Sequence, residues 1–241
     1  MTIPQGRRSS TFTRLLRHGF TDPSTAERLL GSEALAPVAE DTVLLDALAA
    51  TGTDALVYLM AGVPTPARDF PGRALIVTPG AEPVALALPG LYRPGSAALD
   101  RYLEAAAERS RLLTGPRPGR QAAAACEARW QSALTELCDW AGEAVMAPLL
   151  AAVRQMRPDG GDPARPLRVV LVPCGPLGVV PWHAARLPAP PGGPGPRYAV
   201  HEAVLSHASS GAQFLAAAAR RRLPLAAGPQ VLLADPELSL P

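Results

Sequence analysis

Leu167-Arg-Val-Val-Leu-Val-Pro-Cys174-Gly-Pro-Leu-Gly-Val-Val-Pro-Trp182-His183-Ala-Ala-Arg-Leu-Pro188 is the stretch that decides the fold. Its first six residues form an apolar, β-branched run broken only by Arg168, the pattern of a strand buried on both faces. Pro173, Gly175 and Pro176 end that run in a tight turn, and Val179-Val180-Pro181 predicts a second extended segment. A long helix is predicted upstream, over about Gln121–Met156. There Leu134, Leu137, Ala141, Val145, Leu149 and Val153 recur at three- and four-residue steps and make one apolar stripe, with Trp130 and Trp140 on it or at its edge.

Further upstream, Ala55–Met60, Arg73–Thr78 and Pro83–Leu88 read as three extended runs. The last two are joined by the hairpin-like turn Pro79-Gly80-Ala81-Glu82. They predict a small antiparallel meander with one face covered by helices. Helices are expected over Glu40–Ala50, ending before Gly52, and over residues 96–114. Asp22-Pro23-Ser24-Thr25-Ala26-Glu27 is a dense helix-start signal, and Gly31 closes that short helix. Downstream, Pro188–Arg197 is almost wholly Pro, Gly and Ala and reads as a surface loop. Residues 203–207 read as a strand, and Ser210-Gly211-Ala212-Gln213 is a capping box opening a helix to about Arg220. Gln230–Ala234 reads as a last strand, turning at Asp235-Pro236.

The 241 residues suffice for a sizeable core, and 48% hydrophobic against 18% charged content marks a folded chain. A net charge of +2 makes no electrostatic case for nucleic acid or a membrane surface as partner. All 23 basic residues are Arg, so a Schiff-base or P-loop lysine is excluded. With 28 Pro and 21 Gly, this usage fits a high-GC, actinobacterial-like coding bias. Cys126, Cys138 and Cys174 form no C-x-x-C, which argues against a zinc site or a disulfide framework and for a reducing cytoplasm. Arg7-Arg8 is not followed by an apolar run of export-signal length, and no stretch of membrane-spanning length occurs.

Candidate chemistry is sparse. Cys174 and His183, nine residues apart after a buried strand, could be a thiolate–imidazole pair, but spacing does not supply hydrogen-bond reach, and a turn thiol accounts for Cys174. His201 and His207, on either side of a Val-Leu strand, are too far apart along it to share a metal ion. Ser209 and Ser210 fit a helix cap rather than a nucleophile elbow. His18 lies in the basic N-terminal arm, and Arg220-Arg221-Arg222 reads as a solvated helix end. The glycines near Gly160 and Gly192 match no nucleotide-binding fingerprint. No catalytic, cofactor-binding or metal residue is assigned.

The phrase Val172-Pro173-Cys174-Gly175-Pro176-Leu177, then Pro181-Trp182, the strand followed by Ser209-Ser210, and the closing Leu232-Leu233-Ala234-Asp235-Pro236 resemble the CHAT family of caspase-like cysteine peptidases. The resemblance runs from about Leu167 to Pro241. It implies an α/β fold, a partial caspase-like sandwich with a mostly parallel sheet, preceded by an α+β segment of meander and long helix. On this reading residues 1–21 are a mobile basic arm, 22–160 a helical and β-meander region, and 161–241 the first part of the family domain. The family's catalytic His and Cys turns have no match between Met1 and Pro241. The resemblance therefore implies the N-terminal part of a bacterial signalling or defence peptidase, inactive alone. Its expected partner is the missing C-terminal half or another protein or peptide. The alternative is a non-catalytic interaction scaffold.

Overall fold

The computed structural model describes residues 39–64, 69–91, 97–115, 119–157, 165–188 and 195–220. The expected arm, the helix begun at Asp22, His18 and the strand Gln230–Ala234 lie outside these residues. Helix α1 (Ala39–Thr51) leads into β1 (Ala55–Met60). Gly52, with φ of 63°, makes the left-handed step that ends the helix. After a two-residue ladder of β2 (Val63–Pro64) with β3 (Asp69–Phe70), the hairpin β4 (Gly72–Val77) and β5 (Val84–Leu88) follows. Helix α2 (Ala97–Thr114) then packs antiparallel-fashion on the long helix, which comprises α3 (Arg120–Ala141), a π-helical turn (Gly142–Met146) and α4 (Ala147–Gln155). Next come β6 (Leu167–Pro173), the short hairpin β7 (Arg186–Leu187) with β8 (Arg197–Tyr198), the one-turn α5 (Ala199–Glu202), β9 (Ala203–His207) and α6 (Gly211–Ala219).

Five strands make the main sheet, in the order β5-β4-β1-β6-β9. The β1–β6 and β6–β9 pairs are parallel and the β1–β4 and β4–β5 pairs antiparallel, so only β4 runs against the rest. The fold is thus α/β with a mostly parallel sheet. The expected meander is present, but it is no separate unit: β1 hydrogen-bonds in parallel with β6, and strands from both sides of residue 160 share one sheet. Apolar residues on both sides of β1 and β6 require two covering layers. On one face Val57, Leu59, Val169 and Leu171 meet the helical stripe of Leu137, Val145, Leu149 and Val153. On the other, Leu56, Tyr58, Val170 and Val172 meet Leu44 and Leu48 of α1 and Phe214 of α6.

The second extended segment expected after Cys174 is not a strand. Gly175–Val179 and Trp182–Ala184 are 3-10 turns, and pairing resumes only at Arg186. Gly175 has φ of 60°, Pro176 withholds a donor, and the buried Trp182 donates its indole N–H to the Leu177 carbonyl at 3.1 Å. The chain is curled under its own anchor and cannot extend. His201 likewise sits in α5, not on the strand, where its Nδ1 accepts from the Tyr198 N–H at 3.3 Å.

One carboxylate joins the two halves of the sheet. Asp54 accepts from Arg157 Nε and Nη2 at 3.2 and 3.1 Å, from the Arg168 backbone N–H at 2.8 Å, and from Arg165. Burial alone raises its pKa, but the Arg157 and Arg168 hydrogen bonds and the charges of Arg157 and Arg165 outweigh that and hold it below the usual carboxylate range. A depressed folded pKa gives stability that is full above the unfolded value and lost as pH falls through the folded one. Asp54→Asn should therefore lower urea stability at neutral pH by about 2 kcal/mol, the scale of a lost hydrogen bond to a charged group. It should also flatten the loss of stability that the native chain shows on acidification below pH 3.8. An unchanged acid slope would refute this role for Asp54.

Gly142 is the second fixed point. A Cβ there would stand 1.7 Å from the Arg186 carbonyl oxygen, so the helix and the β7 strand touch backbone to backbone. Gly142→Ala should cost about 2 kcal/mol, the range of overpacked cores, and shift the melting temperature downward. The neighbouring Glu143→Ala, on an exposed side chain, should leave that temperature in place.

Candidate functional site

In parallel sheets the crevice beyond the carboxyl ends of the strands is the usual place for a site, because loops converge there on a rigid frame. Here β1, β6 and β9 all point to that end. The Cys174 N–H donates to Leu59 O and the Ala208 N–H to Leu171 O, each at 2.9 Å, so the loop after each strand is tied to its neighbour. Cys174 thus follows β6 directly, His207 ends β9, and the N-terminus of α6 begins four residues later.

Tyr58, from the middle of β1, points into the layer under α6 and is 2% exposed. Burial pushes its pKa up strongly, the charge of Cys174 pushes it further, and a backbone hydrogen bond from Gly211 opposes both. The phenol is therefore a neutral tether holding the first turn of α6 to the sheet. Ser210 Oγ accepts from the Gln213 N–H at 3.2 Å, the N-cap half of the capping box expected from the sequence, whereas Gln213 Oε1 accepts from the Ser209 N–H, one residue before the cap. Both serines thereby serve the start of α6, Ser210 through its hydroxyl and Ser209 through its backbone N–H.

Cys174 is half-buried, and its thiol donates to the Val172 carbonyl at 3.7 Å. His183 is exposed on the second 3-10 turn. It lies close enough to His207 that its charge helps lower the His207 pKa below 6.5, burial of His207 being the larger cause. The structure therefore brings His183 near His207. Among the described residues no group of three or more His, Cys, Asp or Glu is placed to hold a metal ion. Cys126 and Cys138 are buried on the long helix, as expected, and burial, then the charge of Asp139, raises the Cys138 pKa. Arg220 is described and exposed at the end of α6, and the remaining arginines of its run lie outside the described residues.

Two features that sequence reasoning missed are Tyr58 as tether and the His183–His207 proximity. A tyrosine within an apolar strand run is a signal for the first, since its hydroxyl needs a partner when buried. No sequence signal exists for the second. An NMR titration should give His207 a midpoint below 6.5. His183→Ala should raise that midpoint only in part, because burial is retained; full return to 6.5 would show the charge of His183 to be the main cause.

Against known proteins, the chain matches the bifunctional glutamine synthetase adenylyltransferase/adenylyl-removing enzyme of Streptomyces avermitilis. Identity is 68% over 59 residues, 24% of this chain and 6% of that enzyme. The enzyme of the same name from Streptomyces coelicolor is 74% identical over 46 residues, 19% of this chain and 5% of its own length. No protein-family model matches the chain, and no solved structure matches it. These findings overturn the resemblance to CHAT peptidases: the related proteins carry another name and no family model supports the phrase match. The readings as part of a caspase-like cysteine peptidase and as an interaction scaffold are withdrawn with it. The actinobacterial coding bias accords with the Streptomyces relatives. No helix of the described residues is long and apolar enough to cross a membrane.

Proposed function

We propose that this chain acts in the control of glutamine synthetase, through the stretch it shares with the two Streptomyces enzymes. The observation that carries the reading is the concentration of 68–74% identity in 59 and 46 residues. A fold alone tolerates wide substitution as long as volume and polarity pattern are kept. Identity at this level keeps surface side chains as well as core ones, and a surface kept in place is one that a common partner can recognise.

The test is competition. With glutamine synthetase as substrate of either Streptomyces enzyme, added full-length chain should raise the apparent KM for glutamine synthetase and leave kcat unchanged. A peptide of the shared stretch should reproduce the effect at higher concentration. If neither binds glutamine synthetase nor alters the rate, the reading fails.

A further inference from the structure

Strand β5 ends the main sheet, and among the described residues no strand lies beyond it. Natural edge strands are blunted by charge, proline or a bulge, because a free row of N–H and C=O groups invites another strand. From Pro83 to Leu91 the chain reads Pro-Val-Ala-Leu-Ala-Leu-Pro-Gly-Leu, with no charged side chain, and both prolines lie outside the paired residues Val84–Leu88. Val84 is 44% exposed, and Ala85 and Ala87 are exposed as well.

The strand also matches itself. Val84, Leu86 and Leu88 share the face that carries the main core, while Ala85 and Ala87 lie on the other. Antiparallel pairing about Leu86 sets Val84 against Leu88 of a second copy, Ala85 against Ala87, and Leu86 against itself. Small side chains then meet small ones, Leu86 meets itself, Val84 lies over the backbone of the already buried Leu88, and a two-fold axis normal to the sheet keeps each face continuous. Beside Leu88 runs a groove of about 540 Å³, walled by Pro89, Trp140, Ala144 and Pro148 with the Glu143 carboxylate at its side. The Trp140 indole N–H donates to Gly90 O at 3.1 Å, which fixes that wall. In this register the exposed Val84 of the second copy comes up at the Leu88 end of the groove, so one copy presents both the knob and the hole. The edge at β9 lacks this match, since it carries Ser206 and His207.

We propose that β5 is a dimerisation edge, at which two copies of this chain join into one ten-stranded sheet through antiparallel pairing of Val84–Leu88. Five residues a side is a small interface, so the association is weak and reversible. Light scattering on the full chain should give twice the chain mass at high concentration, falling to once on dilution. Val84→Lys places two ammonium groups at the joint and should give the single-chain mass at every concentration, with an unchanged circular dichroism spectrum. Val43→Lys is a control on α1, where the side chain is 54% exposed, and should dimerise like the native chain. Amide hydrogen exchange of residues 84–88 should slow as concentration rises. A native chain that stays monomeric, a dimer that survives Val84→Lys, or exchange that is slow at every concentration would each overturn the proposal.

Discussion

The parallel pairing of Ala55–Met60 with Leu167–Pro173 is the contact on which the rest of the sheet depends, and Asp54 sets its register. The two strands lie more than a hundred residues apart, Asp54 and Arg168 being separated by 114. Closing so long a loop is entropically only slightly worse than closing a short one, but it rewards the chain only once the strands meet in the right phase. A slip by one residue would exchange the faces of β1, on which five of six side chains are buried. Asp54 resists that slip twice. Its backbone N–H donates to the Arg168 carbonyl, while its carboxylate takes the Arg168 N–H and the two guanidinium groups of Arg157 and Arg165. Arg157 closes the long helix and Arg165 and Arg168 open β6, so one half-buried anion gathers the ends of three elements.

With that register given, the helical layers follow from side-chain size. The stripe Leu134, Leu137, Ala141, Val145, Leu149 and Val153 was legible in the sequence because its period matches a helix, and all but the half-buried Leu134 are buried. The π-helical turn at Gly142–Met146 was not legible, for it has no local cause. Its origin is the Arg186 backbone pressed against Gly142, together with Trp140 held between Trp182, at 6.2 Å between ring centres, and the Gly90 carbonyl. A widened turn there relieves a tertiary crowding that no window of helix propensity can register. The curled segment after Cys174 escaped for a similar reason. Val179-Val180-Pro181 has strand character, but the burial of Trp182 and its hydrogen bond to Leu177 override it.

The family phrase shows how a resemblance can be carried by the wrong residues. Pro173 ends a strand, Gly175 takes the left-handed turn, Leu177 and Trp182 are buried, and Ser210 caps a helix. Each is accounted for by building a strand, a turn and a helix start. Any α/β chain that must turn under a strand end and anchor an aromatic there has use for such residues, so their order speaks for local geometry and not for a reaction. The short identity with the Streptomyces enzymes is evidence of another kind, because it rests on whole runs of side chains and not on turn formers.

The same distinction separates the two ends of the sheet's width. At β9 the chain leaves through a capped helix whose first turn is tethered by Tyr58, and the polar Ser206 and His207 end the strand. At β5 the chain leaves through Pro89 and Gly90, and nothing polar guards the edge within Val84–Leu88. A core-facing strand would need such an apolar sequence; an edge strand left in water would not, and Val84 leaves 44% of its surface exposed. Its apolar character makes physical sense when the hydrogen-bonding row beside it is filled, which places the pairing of this edge among the constraints on the sequence and not among its accidents.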